Sequence, residues 1–361
     1  MSPGRATLDG TADYAARQAP RTASGHFRRL GNLTVSSIGI GTYLGPADET
    51  TDLSYQASVV RALEAGLNVI DTASNYRHQR SERAVGRGLA EAIERGIAQR
   101  EEVVVASKAV FLPFDGSRPA DPRAYIQQAF IDAGLMEWGD IVAGCHSLAP
   151  AYLREQIEQS RRNLGLRSID VYYLHNPEMQ LEEVPRERFL ERMRAAFAEL
   201  ERACADDAIG CYGTATWAGY RVPPHHPGHL SMEELVRLAV EVGGAGHHFR
   251  VIQLPYNLSM PEARVMATQR VAGAQMPALD AASRLGLYVM ASASIEQGKL
   301  AAHLPRGPGD LADEPLRSSA QRALQYARSA PGMGTALVGM KTPSHVDENA
   351  AVAAVPPTTT S

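Results

Sequence analysis

The chain has 361 residues, 44% of them hydrophobic and 21% charged, with a formal net charge of -4 at pH 7 and a pI near 6.3. That is ordinary globular composition, with no apolar stretch of the roughly 18 residues a membrane span needs, and with acids and bases interspersed rather than gathered into a basic face for phosphodiesters. Neither nucleic acid nor membrane is therefore an expected partner. The three cysteines, Cys145, Cys204 and Cys211, form no CxxC pair and fit reduced thiols in a cytoplasmic setting.

In chain order, residues 1–26 lack the apolar core of a secretory signal and read as a mobile extension. Gly31-Asn32 between Phe27–Leu30 and Leu33–Val35 reads as a hairpin turn, opening a single folded domain expected over 27–353. Ile38–Ile40 is a strand, and a helix from about Leu53 to Ala65 closes at Gly66. A strand at 67–71 precedes a helix from Ser81 whose Val85, Leu89 and Ala92 share a face. After a strand at 103–107, residues 109–149 are too long for an ordinary connection; their aromatic content predicts a lid over the site. A helix from Pro150 stops at Gly165, and further strands fall at 171–174, 208–212, 251–254, 287–290 and 335–338. Residues 354–361, rich in Pro and Thr, read as a tail.

Eight strands, most followed by a helix, predict an α/β fold: a (β/α)8 TIM barrel with an N-terminal β-hairpin and a long loop after the third strand. A doubly wound open sheet is the alternative, but residues 39–45 carry glycines without the GxGxxG spacing.

Asp71, Lys108 and His175 each end a β-branched run, and Tyr76 lies in the loop after Asp71. At the C-terminal mouth of a barrel these four would make a proton-donating set. Singly, each has an ordinary role as a cap, a solvated cation, a turn histidine or a packed ring; their joint occurrence favours catalysis. Asp71 would keep Lys108 protonated, and the ammonium would lower the Tyr76 phenol from its usual value of about 10. The cluster His225, His226 and His229 lacks helical ligand spacing, so no metal is expected.

Asn68-Val69-Ile70-Asp71-Thr72-Ala73, Tyr76, Ser81-Glu82, Val105-Ala106-Ser107-Lys108 and Ile169 through Pro177 resemble the aldo-keto reductase superfamily, and the resemblance runs over about 28–353. It implies reduction of an aldehyde or ketone by NADPH, with NADH as the second possibility. Tyr76 would be the general acid, Lys108 its partner, Asp71 the anchor and His175 the group orienting the carbonyl. It further implies cofactor contacts at Gly41, Thr42, Tyr43, Thr216, Gln253, Ser292, Ile295, Gly298, Gly339, Met340, Lys341, Thr342, His345, Glu348 and Asn349.

Gly339 and His345 stand where many members have a lysine and an arginine or glutamine, and two further departures touch the nicotinamide end. Within Gly213-Thr214-Ala215-Thr216-Trp217, where many members have Gly-Val-Ser-Asn-Phe, Ala215 replaces a polar group that usually faces the carboxamide, and Ser292 stands where an aromatic usually stacks on the nicotinamide. Ala215 and Ser292 motivate a redox-neutral isomerase, dehydratase or cyclase as the rival reading, with a non-catalytic regulatory subunit as a second. The expected partner is a small carbonyl compound; oligomeric state and substrate identity are not legible.

Overall fold

The structure, a computed structural model, describes residues 4–302, 304 and 316–358. Eight parallel strands close into a barrel in chain order: β1 (Ile38–Gly41), β2 (Val69–Asp71), β3 (Val104–Ala109), β4 (Ile169–His175), β5 (Ile209–Ala215), β6 (Phe249–Pro255), β7 (Tyr288–Ser292) and β8 (Thr335–Gly339). Closure comes from β8 pairing with β1, Gly339 opposite Gly41. The hairpin is present, Phe27–Leu30 against Leu33–Ser36, with Gly31 in the left-handed region at φ 58°.

Residues on alternate strand positions fill the barrel interior with Val69, Val104, Ala106, Val171, Tyr173, Val251, Met290 and Leu337, while Leu30 and Val35 of the hairpin and Ala6 join the same cluster. The opposite faces pack under the surrounding helices with Ile40, Ile70, Val105, Leu174 and Ile252. This two-sided burial is why the strands read as continuous apolar runs. Gly213 in β5 is required by close approach: a Cβ there would lie 1.7 Å from the carbonyl oxygen of Val251.

Both predicted termini differ from expectation. Residues 8–18 are not a loose extension but a helix, α1 (Leu8–Gln18), capped by the Thr7 side chain, with the buried Tyr14 hydroxyl donating to the Leu63 carbonyl at 2.6 Å. Ahead of it, the Ala6 amide donates to Asp170 Oδ1 at 2.6 Å, and Arg100 Nη2 donates to Asp170 Oδ2 at 2.8 Å. Its buried stripe, Thr11, Tyr14 and Gln18, is mostly polar, which hides this helix from a reading based on apolar periodicity. At the other end, the buried Arg328 donates to the Val355 carbonyl and Gln325 Nε2 to the Pro356 carbonyl at 2.7 Å. The chain is thus docked as far as these residues; 359–361 lie outside the described residues.

Segment 109–149 also differs. It carries a short helix (Pro122–Ile126) and a two-residue hairpin (Ile141–Val142 with His146–Ser147), and it builds a side cluster of Leu112, Ile126, Phe130 and Met136 on Tyr152. Of this segment only Phe111 lines the cavity at the barrel mouth.

His26 is fully buried between the hairpin and the barrel, with Nε2 donating to the Gly66 carbonyl at 3.0 Å and Nδ1 accepting from Ser37 Oγ at 3.2 Å. Burial pushes its pKa down to about 4. Below pH 6.5 the unfolded chain takes up a proton that the folded one refuses. Stability should therefore fall between about pH 6.5 and 4, this residue contributing on the order of 3 kcal/mol. Urea unfolding of wild type and His26→Gln at pH 7 and 4.5 should show a shallower loss in the variant; parallel losses would reject the assignment.

Candidate active site

Each of the four sequence-predicted groups sits at the C-terminal mouth of the barrel. β2 ends on Asp71, β3 carries Lys108 next to its last residue, β4 ends on His175, and Tyr76 follows β2 in a loop. Lys108 is fully buried; its Nζ donates to Asp71 Oδ2 at 2.6 Å and to the Thr72 carbonyl at 2.9 Å. The other carboxylate oxygen, Oδ1, accepts from Gln253 Nε2 at 2.9 Å, so both oxygens are held. Lys108 Nζ lies 4.9 Å from the centroid of the Tyr76 ring. The ring meets His175 edge to face at 5.9 Å and Tyr43 at 5.0 Å.

The expected lowering of the Tyr76 pKa is corrected by this geometry. Burial, then the Asp71 charge, hold the phenol well above its ordinary value of 10. The ammonium spends its hydrogen bonds on Asp71 and Thr72 and approaches the ring centroid instead of anchoring on the hydroxyl. Burial also lowers Lys108 while Asp71 opposes that shift and keeps it charged. His175 is held well below 6.5 by burial and by Lys108, so its imidazole is neutral, and its Nδ1 is buried without a partner among the described residues.

The loop carrying Tyr76 is strained and tethered. Arg77, His78 and Gln79 take φ of 50°, 58° and 69°, a left-handed run costing roughly 1–2 kcal/mol per residue. Arg77 offsets this by pairing with the buried Asp52 and donating from Nε to the Pro46 carbonyl at 2.8 Å. Gln79 Nε2 donates to the Phe114 carbonyl at 3.1 Å, and its Oε1 accepts from Asn163 at 3.0 Å. The end of β4 is held similarly: neutral His146, pushed down to about 4 by burial, donates from Nε2 to the His175 carbonyl at 2.9 Å. Gln180 donates to its Nδ1 at 2.8 Å.

A cavity of about 760 Å³ opens over this set, within the usual range for a cofactor or ligand site. It is lined by Asp71, Tyr76 and His175 and by most of the predicted cofactor positions: Gly41, Thr42, Tyr43, Thr216, Gln253, Ser292, Ile295, Gly298, Gly339, Lys341, His345, Glu348 and Asn349. Met340 and Thr342 do not line it. Met340 is fully buried in the core, and Thr342 caps the helix Pro343–Ala350, its side chain accepting from the His345 amide. Gln253 gives its amide N–H to Asp71, which leaves its carbonyl oxygen for a ligand. Ser292 lies at the wall with no ring on it, and Ala215 brings no polar group, as its sequence departure implied.

Sequence reasoning missed Phe111, Asn75 and Asn176 as lining residues, and it treated Trp217 only as a motif departure. Their signal was weak because each lies in a loop whose path depends on distant partners. The 218–230 segment does not line the cavity; its His229 contacts the Thr268 carbonyl at 2.8 Å through Nε2.

A profile of the "Aldo/keto reductase family" matches residues 37–219, just over half of the chain. The chain belongs to the aldo/keto reductase family. Among curated relatives it is 30% identical over 145 residues to "Aldo-keto reductase AKR2E4" of Bombyx mori, covering 40% of this chain and 35% of that protein. It is 30% identical over 150 residues to the "NADH-specific methylglyoxal reductase" of Escherichia coli K12, covering 40% and 39%. The chain thus spans little more than a third of the curated relatives it matches.

Solved aldo/keto reductases share the fold at lower identity. One from Klebsiella pneumoniae, in complex with NADP and acetate, superposes with a TM-score of 0.58 at 20% identity over 92% of this chain and 89% of that one. AKR11C1 from Bacillus halodurans, in its holo form, gives 0.61 at 19% over 92% of both.

Removing the carboxylate should expose the cost of this arrangement. Asp71→Ala leaves a buried ammonium with one carbonyl partner, a change worth about 3–5 kcal/mol. Denaturant unfolding at pH 7 should show that loss, and raising the pH should recover part of it as Lys108 sheds its proton. A variant as stable as wild type at pH 7 would mean the pair is solvated.

Proposed function

We propose that the protein reduces an aldehyde or ketone with NADPH, NADH being the second candidate, and that Tyr76 donates the proton. The observation that carries this reading is the convergence of Tyr76, His175 and Asp71 on the wall of one cofactor-sized cavity, with Lys108 buried behind Asp71 and paired to it. Buried atoms in the same wall that have no partner among the described residues, His175 Nδ1, Thr216 Oγ1 and Asn349 Oδ1, support a polar occupant.

On this reading, Gly339–Asn349 holds the adenosine end. The helix start at Pro343 and the Lys341 ammonium supply positive potential for phosphate. Thr216 and the carbonyl oxygen of Gln253 would hold the carboxamide end, and Gly41, Thr42 and Tyr43 line the same cavity. The bound dinucleotide supplies the hydride. His175, neutral, offers a hydrogen bond to the substrate oxygen and fixes its position beside the Tyr76 hydroxyl. As negative charge develops on that oxygen, Tyr76 gives up its proton; the Lys108 charge near the ring eases the phenolate that results. Asp71 keeps Lys108 charged and fixed.

The raised phenol has a consequence for pH. A donor must be protonated, so kcat/KM for reduction should stay level from pH 6 to about 10, without the alkaline fall near neutrality that a lowered tyrosine would give. A fall centred near pH 8 would contradict the geometry.

Tyr76→Phe should lower kcat by roughly 100- to 10,000-fold while leaving NADPH binding, followed by protein fluorescence, within about twofold. Undiminished turnover would remove Tyr76 from the mechanism. Binding of neither nucleotide would move the assignment to the redox-neutral rival, which Ala215 and Ser292 favour.

A further inference from the structure

At the mouth of the barrel one aromatic residue is held with unusual investment. Trp217 lines the cavity and is 47% exposed, yet its main chain is gripped from both sides by charged groups. The Glu178 carboxylate, in the turn after β4, is buried, and its Oε1 accepts from the amides of Trp217 at 2.7 Å, Ala218 at 3.0 Å and Gly219 at 3.3 Å. Arg221 donates to the Trp217 carbonyl from Nη2 at 2.8 Å and from Nε at 3.2 Å, and is itself tied by Nη1 to Glu262 at 2.7 Å.

Burying a carboxylate whose partners are main-chain amides is costly, and its second oxygen has no partner among the described residues. Burial accordingly raises the Glu178 pKa. Such an arrangement fixes a backbone, and the side chain that this backbone presents is an open indole.

The location gives the indole its use. Ala215, two residues earlier, pairs in register with His175, and the Asn176 amide donates to the Ala215 carbonyl at 2.6 Å. Trp217 therefore leaves the strand beside the one that carries His175. Tyr43, Phe111 and the amides Asn75 and Asn176 line the same cavity as Tyr76 and His175. Tyr43 and Phe111 already touch the Tyr76 and His175 rings, at 5.0 Å each. Among the described residues, no such ring contact is made by Trp217, which leaves its face for a ligand.

We infer that Trp217 is the specificity-determining wall of the substrate site, selecting carbonyl compounds that carry a flat, uncharged aryl or conjugated group next to the carbonyl, with Glu178 and Arg221 as its positioning residues. The inference rests on the proposed carbonyl reduction. A planar apolar group stacked on a fixed indole loses little freedom, and aromatic pairs gain beyond simple burial. An aliphatic aldehyde of similar reactivity lacks that face.

The test compares benzaldehyde with propanal in steady-state reduction by the full chain. Trp217→Ala should lower the benzaldehyde-to-propanal ratio of kcat/KM at least tenfold, chiefly through the KM for benzaldehyde. Glu178→Gln and Glu178→Ala should lower the same ratio, and Glu178→Ala combined with Trp217→Ala should go no further than Trp217→Ala alone, because the carboxylate acts through the indole. The chain has two tryptophans, and Trp138 does not line the cavity, so Trp138→Phe leaves Trp217 as sole reporter. In that background benzaldehyde should quench the emission saturably and propanal should not.

An unchanged ratio in Trp217→Ala, or absence of saturable quenching, overturns the specificity role. Additive losses in the double variant overturn the positioning role of Glu178. Should neither aldehyde be reduced by wild type, the proposed function fails on its own account, and the quenching experiment still decides whether an aryl group sits on Trp217.

Discussion

The buried contact between Lys108 and Asp71 is the constraint around which the rest of the site is arranged. An ammonium with no solvent access is tolerated only because a carboxylate 2.6 Å away and a main-chain carbonyl at 2.9 Å replace its water. The carboxylate in turn needs Gln253 from the opposite wall of the barrel. Two adjacent strands and one distant strand are thereby locked by charge at their C-terminal ends, and that lock sets the floor on which Tyr76 and His175 stand. A closed barrel suits this, since its strands cannot slide without breaking the ring of pairing.

The same device recurs further out. Arg77 with Asp52 secures the left-handed turn behind Tyr76, and Glu178 with Arg221 secures the turn beneath Trp217. In each case a charged side chain binds main-chain groups of a loop bordering the cavity. These ions contribute less to overall stability than to shape: loops at a barrel mouth are short of apolar contacts, and directional hydrogen bonds replace packing there. Apolar burial secures the barrel wall, while charge fixes the rim.

How much of this was legible in the sequence follows from the range of the forces involved. The alternation of strands and helices is local, so the barrel, the hairpin and the helix stop at Gly165, left-handed at φ 66°, could be read directly. Asp71, Lys108 and His175 were legible because a polar group ending an apolar run marks a strand end. The sign of the Tyr76 shift was not, because it depends on how deeply the ring is buried and on where Lys108 spends its hydrogen bonds. α1 stayed hidden since Tyr14 is the one aromatic on a buried stripe otherwise made of Thr11 and Gln18. The grip of Glu178 on Trp217 spans 39 positions, and no periodicity records such a pairing.

Gly213 has an implication for how this protein can change. With the Val251 carbonyl oxygen 1.7 Å from where a Cβ would stand, even a methyl group there forces β5 away from β6. Two residues along, the displacement reaches Ala215, whose carbonyl meets the chain just past His175. The loops above can drift through sequence space and retune what enters; this position admits no neighbour on that path. Evolutionary freedom in this scaffold is therefore divided by height, with latitude at the rim and almost none where two strands nearly touch.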